Sequence, residues 1–224
     1  MKTDIPQTVY LKDYTPPAFL VDTVDLDFVI ETGSTTVTAT LAVRRNPAVA
    51  AQPLVLDGDE LETLSVAVDG QKWPFSETPT QLTLSDLPGA FTLTTEVRIQ
   101  PDSNTRLSGL YRSKDGYFTQ CEAQGFRRIT WFLDRPDVMS TYTVTLHADK
   151  EKLPVLLANG NPVAAGDEAD GRHWAKWNDP FRKPAYLFAI VAGKLDGLFD
   201  SFATVSGRSV QLAIYVEPGK LDQC

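Results

Sequence analysis

"FLVDTVDLDFVIETGSTTVTATLAVRRN", residues 19–46, decides the fold class. In its first half Val24, Leu26 and Phe28 alternate with Thr23, Asp25 and Asp27. In its second half Val37, Ala39, Leu41 and Val43 alternate mostly with threonine. A period of two sends successive side chains to opposite faces, so each half reads as an antiparallel strand buried on one side only. Gly33-Ser34 sits between them, where a hairpin turn belongs.

The same pattern continues outward. "QPLVLDGDELETLSVAVDGQKWPF" gives a strand, a polar Asp57-Gly58-Asp59 turn, and a second strand ending at the hairpin signal Asp69-Gly70. "TQLTLSDLPGAFTLTTEVRIQP" is strand, Pro-Gly turn, strand. Residues 104–116 are polar and read as a loop. "TYTVTLHAD" and "LPVLLANGNPV" are further strands, and "RHWAKWNDP" alternates as well. "PAYLFAIVAGKL" reads as one long buried strand, and "SFATVSGRSVQLAIYV" as a last hairpin around Ser206-Gly207. The one helix candidate is "DRPDVMSTY", with Asp134 as N-cap and Pro136 in the first turn. Strands recur at the short spacing of a sandwich, so the fold class is all-β. The sequence reaches Cys224 with no closing element after its last strand, and we expect a fragment of something longer.

Composition bounds the function. The chain has 224 residues, 42% of them hydrophobic and 22% charged, as in a soluble globular protein. A net charge of −8 excludes a phosphate-tracking surface, so no nucleic-acid partner is expected. The N-terminal "MKTDIPQTVYLKDYTPPAFL" lacks the apolar core of a secretory signal, and no run approaches the roughly 18 apolar residues that span a bilayer. No membrane partner is expected. Cys121 and Cys224 are too few and too far apart for a disulfide framework, and they suggest reduced thiols in the cytoplasm. The sequence contains no H-E-x-x-H, G-x-S-x-G, Gly-rich phosphate loop or C-x-x-C. Its two histidines, His147 and His173, support no three-ligand zinc site, and neither has a context that makes a nucleophilic dyad with Cys121.

The densest stretch is "YFTQCEAQGFRRITWFLDRPD", residues 117–137. Read as a strand, it puts Phe118, Gln120 and Glu122 on one face and Tyr117, Thr119 and Cys121 on the other. In a cleft, the Glu122 carboxylate suits the free α-amino group of a peptide, whose pKa of about 7.7–8.0 leaves it largely protonated at neutral pH. Equally, Glu122 can pair with Arg127 or Arg128 and do no more than fix a corner. Trp131, Trp174 and Trp177 read as core or inter-sheet aromatics. A β-sandwich that binds proteins or glycans through exposed indoles is the alternative function.

The stretch T-Q-C-E-A-x-G-F-R with L-D-R-P-D, the "ANGN" turn and "KPAYLFAIVAG" resemble the bacterial aminopeptidase N family of M1 zinc metallopeptidases. The resemblance runs from about "VYLKDYTPPAFL" onward. It implies a saddle-shaped, mainly antiparallel, β-sandwich-like N-terminal domain over residues 1–194. Residues 195–224 would then open a truncated thermolysin-like catalytic domain, the expected partner of the first. It also implies that Glu122 helps hold the peptide substrate's amino terminus and that Gln120 lines the pocket for the first side chain. The zinc, its H-E-x-x-H ligands and the G-x-M-E-N loop of an alanyl or broad-specificity aminopeptidase are not in this sequence. No cofactor or catalytic residue is therefore assigned to the chain itself. We expect this chain alone not to hydrolyse an aminoacyl chromogenic substrate. Turnover that survives repurification and is abolished by a chelator would overturn that expectation.

Overall fold

The computed structural model describes residue 8 and residues 10–224; the other N-terminal residues, part of the segment read above as lacking a signal, lie outside the described residues. The strands in chain order are β1 (Phe19–Ile30), β2 (Thr35–Arg45), β3 (Leu54–Asp57), β4 (Glu62–Val68), β5 (Gln71–Lys72), β6 (Ser76–Glu77), β7 (Gln81–Leu84) and β8 (Ala90–Ile99). They continue as β9 (Gly109–Ser113), β10 (Gly116–Gln120), β11 (Met139–Asp149), β12 (Val155–Ala158), β13 (Asn161–Asp167), β14 (Arg172–Pro184), β15 (Ile190–Gly193), β16 (Asp196–Ala203) and β17 (Ser209–Val216). Among the described residues the helical elements are all short 3-10 turns, so the fold is all-β.

An eight-stranded sheet of order β13-β14-β11-β1-β2-β8-β4-β5 is the frame. The founding hairpin pairs β1 with β2 in register from Ile30↔Thr35 to Phe19↔Arg45. A bulge between Val21 and Thr23 switches the buried parity, so Phe19 and Val21 face the core before it and Val24, Leu26 and Phe28 after it. Every pairing in this sheet is antiparallel except β1 with β11. A four-stranded sheet (β12-β15-β10-β9), a three-stranded one (β3-β7-β6) and the separate β16–β17 hairpin complete the fold.

Three sequence expectations need correction, and the sheet assignment of the turns is new. "DRPDVMSTY" is not helical: from Met139 the chain runs as β11, and its pairing with β1 and β14 satisfies the backbone that a helix would have satisfied locally. Residues 104–116 contain a strand, β9, paired along β10. "PAYLFAIVAGKL" is no single strand; Pro184 ends β14, a 3-10 turn covers Ala185–Leu187, and β15 begins at Ile190. Finally, several local turns join different sheets. Asp57-Gly58-Asp59 leads from β3 to β4, and Pro88-Gly89 from β7 to β8, each crossing between the three-stranded and eight-stranded sheets. Asp69-Gly70 does close a hairpin, with Val68↔Gln71 paired and both turn residues at positive φ, as a two-residue turn matched to strand twist demands.

The sheets are joined by aromatic rings. Phe28 on β1 stacks on Phe188, and Tyr142 on β11 meets both Phe126 and Phe188. Phe126 in turn packs edge-on against Phe132 and Phe188 at 5.0 and 5.1 Å. The segment 126–132 is thereby anchored on the inner face of the large sheet. Trp131, 1% exposed, lies against Gly58 and donates its indole N–H to Thr63 Oγ1 at 2.8 Å. A Cβ at Gly58 would stand 2.1 Å from the Trp131 ring. Gly58→Ala should therefore destabilise the domain by about 1–3 kcal/mol, as overpacking does. Chemical denaturation checks it against Gly89→Ala, where a Cβ meets nothing within 4 Å.

Candidate functional site

β10 is a central strand of the four-stranded sheet, bonded to β9 along its length and to β15 at Tyr117↔Ala192 and Phe118↔Val191. It ends at Gln120, whose partner on β9 is Gly109. The alternation read from sequence thus stops two residues before Glu122. A turn, 122–125, carries the chain into the 3-10 turn Phe126–Arg128. It is closed by the Gly125 amide donating to the Cys121 carbonyl at 2.7 Å, and its Glu122–Ala123 peptide is cis.

Exposure follows the predicted parity even so. Gln120 and Glu122 are exposed and Cys121 is buried between them. The Gln120 amide Nε2 donates to the Glu122 carbonyl at 3.2 Å, which ties the end of the strand to the turn. Gly125 is required by space. A Cβ there would stand 2.3 Å from the Gln120 carbonyl oxygen and 2.9 Å from Cys121 Cα, both backbone atoms.

The two arginines offered as partners for Glu122 are engaged elsewhere. Arg127 bonds Asp134 through both its amide, at 3.2 Å, and its Nε, at 3.0 Å, and reaches Asp57 at 3.6 Å. Arg128 takes Asp59 at 2.5 Å and also Glu60. Among the described residues no cationic side chain pairs with the Glu122 carboxylate. Asp134 does not cap a helix; burial raises its pKa and the Arg127 guanidinium opposes that shift. Arg128 and its carboxylates were not singled out from the sequence as site supports. The available signal was the acidic run Asp57-Gly58-Asp59-Glu60 between two apolar strands, read there as a polar turn.

The remaining chemistry in the chain is occupied or inert. His147 lies 2.6 Å from Glu168 and 3.2 Å from Asp27 through its two ring nitrogens, and His173 bonds the Leu153 carbonyl at 2.8 Å. Among the described residues no group of His, Cys, Asp and Glu is arranged to hold a metal ion, so a catalytic zinc does not fit the residues present. Burial, reinforced by the nearby Asp134 charge, pushes the Cys121 thiol well above its ordinary range and keeps it protonated, which removes the dyad reading. None of the indoles is fully exposed. Trp131 is buried, the other three are half-buried, and Trp177 bridges sheets by donating to Leu156 O at 3.1 Å. In the native protein a thiol reagent at neutral pH should label Cys224 and spare Cys121, which reacts only in denaturant. Native labelling of Cys121 would contradict its burial.

The match to known proteins agrees with this fold. Residues 20–187 match the family model described as the peptidase M1 N-terminal domain. Aminopeptidase N of Caulobacter vibrioides is 51% identical over 98% of this chain and 26% of its own length. That of Escherichia coli is 47% identical over 99% of this chain and 25% of its own. Aminopeptidase A of Legionella pneumophila, solved with aspartic acid, superposes with a TM-score of 0.90 at 32% identity, over 96% of this chain and 26% of that one. An M1 zinc metallopeptidase from Deinococcus radiodurans shares the fold, with a TM-score of 0.74 at 18% identity over 90% of this chain and 48% of that one. The chain spans about a quarter of the length of the curated relatives it matches. It belongs to the peptidase M1 N-terminal domain family.

Proposed function

We propose that this domain anchors the free amino terminus of a peptide for a zinc aminopeptidase. Glu122 would take the ammonium, and Gln120 would line the pocket for the first side chain. The observation that carries this reading is an exposed Glu122 carboxylate with no cation paired to it among the described residues, while both neighbouring arginines are bound to other acids. A carboxylate so placed rewards a substrate that brings its own positive charge. An internal peptide bond has none, which accounts for cleavage confined to the chain end.

The zinc and its ligands would belong to a catalytic domain of the same chain, and the boundary would fall near residue 194. The β16–β17 hairpin supports that division, because its strands pair only with each other. It also presents Phe199 and Phe202, 65% and 57% exposed, to a surface that remains to be covered. No helix of the described residues is long and apolar enough to cross a membrane. The two free cysteines support a cytoplasmic location.

The test is made in the intact enzyme. Glu122→Gln should cost about 2–5 kcal/mol in kcat/KM, as truncating one partner of a desolvated charge pair does. An unchanged kcat/KM toward a substrate with a free amino terminus would sink the assignment.

A further inference from the structure

We infer that Arg128 is a positioning residue that holds the Gln120–Glu122 edge in place; the inference rests on the anchoring role proposed for those two residues. Arg128 is 8% exposed, and its planar guanidinium serves three separate acceptors. One terminal nitrogen meets Asp59 at 2.5 Å, the other meets Glu60, and Nε donates to the Ser108 carbonyl at 3.1 Å. Its own backbone amide donates to Gly125 O at 3.1 Å.

These contacts converge on the proposed site from two sides. Through its side chain Arg128 fixes Ser108, the residue before β9, and Gly109 at the start of β9 is the register partner of Gln120. Asn104 holds the same Ser108 carbonyl at 2.8 Å and that of Leu110 at 2.8 Å, so the β9 entry is pinned from a second direction. Through its backbone Arg128 fixes Gly125, the last residue of the turn that carries Glu122. The approach is too close for any side chain at Gly109, where φ is +74° and a Cβ would stand 2.6 Å from Arg128 Cβ. Ser108 Oγ likewise would lie 3.0 Å from a Cβ at Gly125. A shift of Arg128 is thus transmitted by backbone contacts to both anchoring residues. Arg106 also reaches Asp59 and Glu60, at 3.4 and 3.3 Å, but it is largely exposed and has no bond to Ser108. Lysine keeps the charge at this position and loses the fork that reaches three acceptors at once.

Arg128→Lys in the intact enzyme tests this, with KM and kcat measured on a free-amine substrate and active sites counted by titration. We expect KM to rise about tenfold, since small misplacements of a positioning group are costly. In a Glu122→Gln background the same substitution should change KM much less, because the two act through one contact. A purely structural role would reduce the number of active sites and leave their KM unchanged, and that result overturns the inference. An equal effect of Arg128→Lys in both backgrounds overturns it as well. Should Arg128→Lys fail to fold, Asp59→Asn removes one carboxylate from the fork, and an unaltered KM in that enzyme is equally decisive. If Glu122→Gln alone leaves KM and kcat unaltered, the anchoring role itself falls, and this inference falls with it.

Discussion

Two adjacent guanidiniums pointing to different acids hold the centre of this domain. Arg127 joins the 3-10 turn at 126–128 to Asp134 and Asp57, and Arg128 joins it to Asp59, Glu60 and Ser108. Between them they fasten the strand ends around the turn at 122–125 to the loop after β3. Burying such pairs is not a cheap source of stability, because desolvation offsets much of the Coulomb attraction. Asp134 illustrates the balance: burial raises its pKa, and Arg127 opposes the rise without reversing it. Stability comes instead from the rings of Phe28, Phe126, Phe132, Tyr142 and Phe188, packed between the sheets. What the ion pairs add is registration. A fork with fixed geometry accepts its partners in one arrangement, whereas a greasy contact tolerates several.

The strands were legible because period two is a local signal, and every residue the alternation placed inward on β1 and β2 is buried. Which sheet each strand joins was not legible. The link β3–β4 resembles a hairpin locally, yet its strands part at Asp57, and β12 and β13 separate in the same way around Gly160. The parting is set by partners far away in sequence, such as Phe132 bridging to Asp57, which no local window contains. The mistaken helix has the same origin. Asp134 and Pro136 are real helix-start residues, but pairing of the following segment with β1 prevails over that local preference.

At the candidate site the sequence reading reached the right exposure for an incomplete reason. Gln120 and Glu122 do point outward around a buried Cys121, but the strand that was to make them do so ends at Gln120. The turn closed by Gly125 continues the parity for two residues more. The arginines were noticed as partners for Glu122 and turned out to be its neighbours, engaged elsewhere. Recognising that requires knowing that the acidic loop at 57–60 lies beside them, a contact spanning 69 residues between Arg128 and Asp59.

Leaving Glu122 without a cation has a further consequence for how an amine could be held. An ion pair at an exposed carboxylate is worth only about 0.2–1 kcal/mol, because water screens it and two mobile groups must be ordered. The same pair removed from water is worth several times more. On this domain Glu122 is open to solvent, so a peptide amine would gain little from it alone. The carboxylate becomes a strong anchor only when something covers it and excludes water from the pair. The rigid support behind the turn then acquires its purpose. A surface proposed to meet both a substrate and a covering domain would have to be in place before either arrives, and the arginine clasp holds it from the core side.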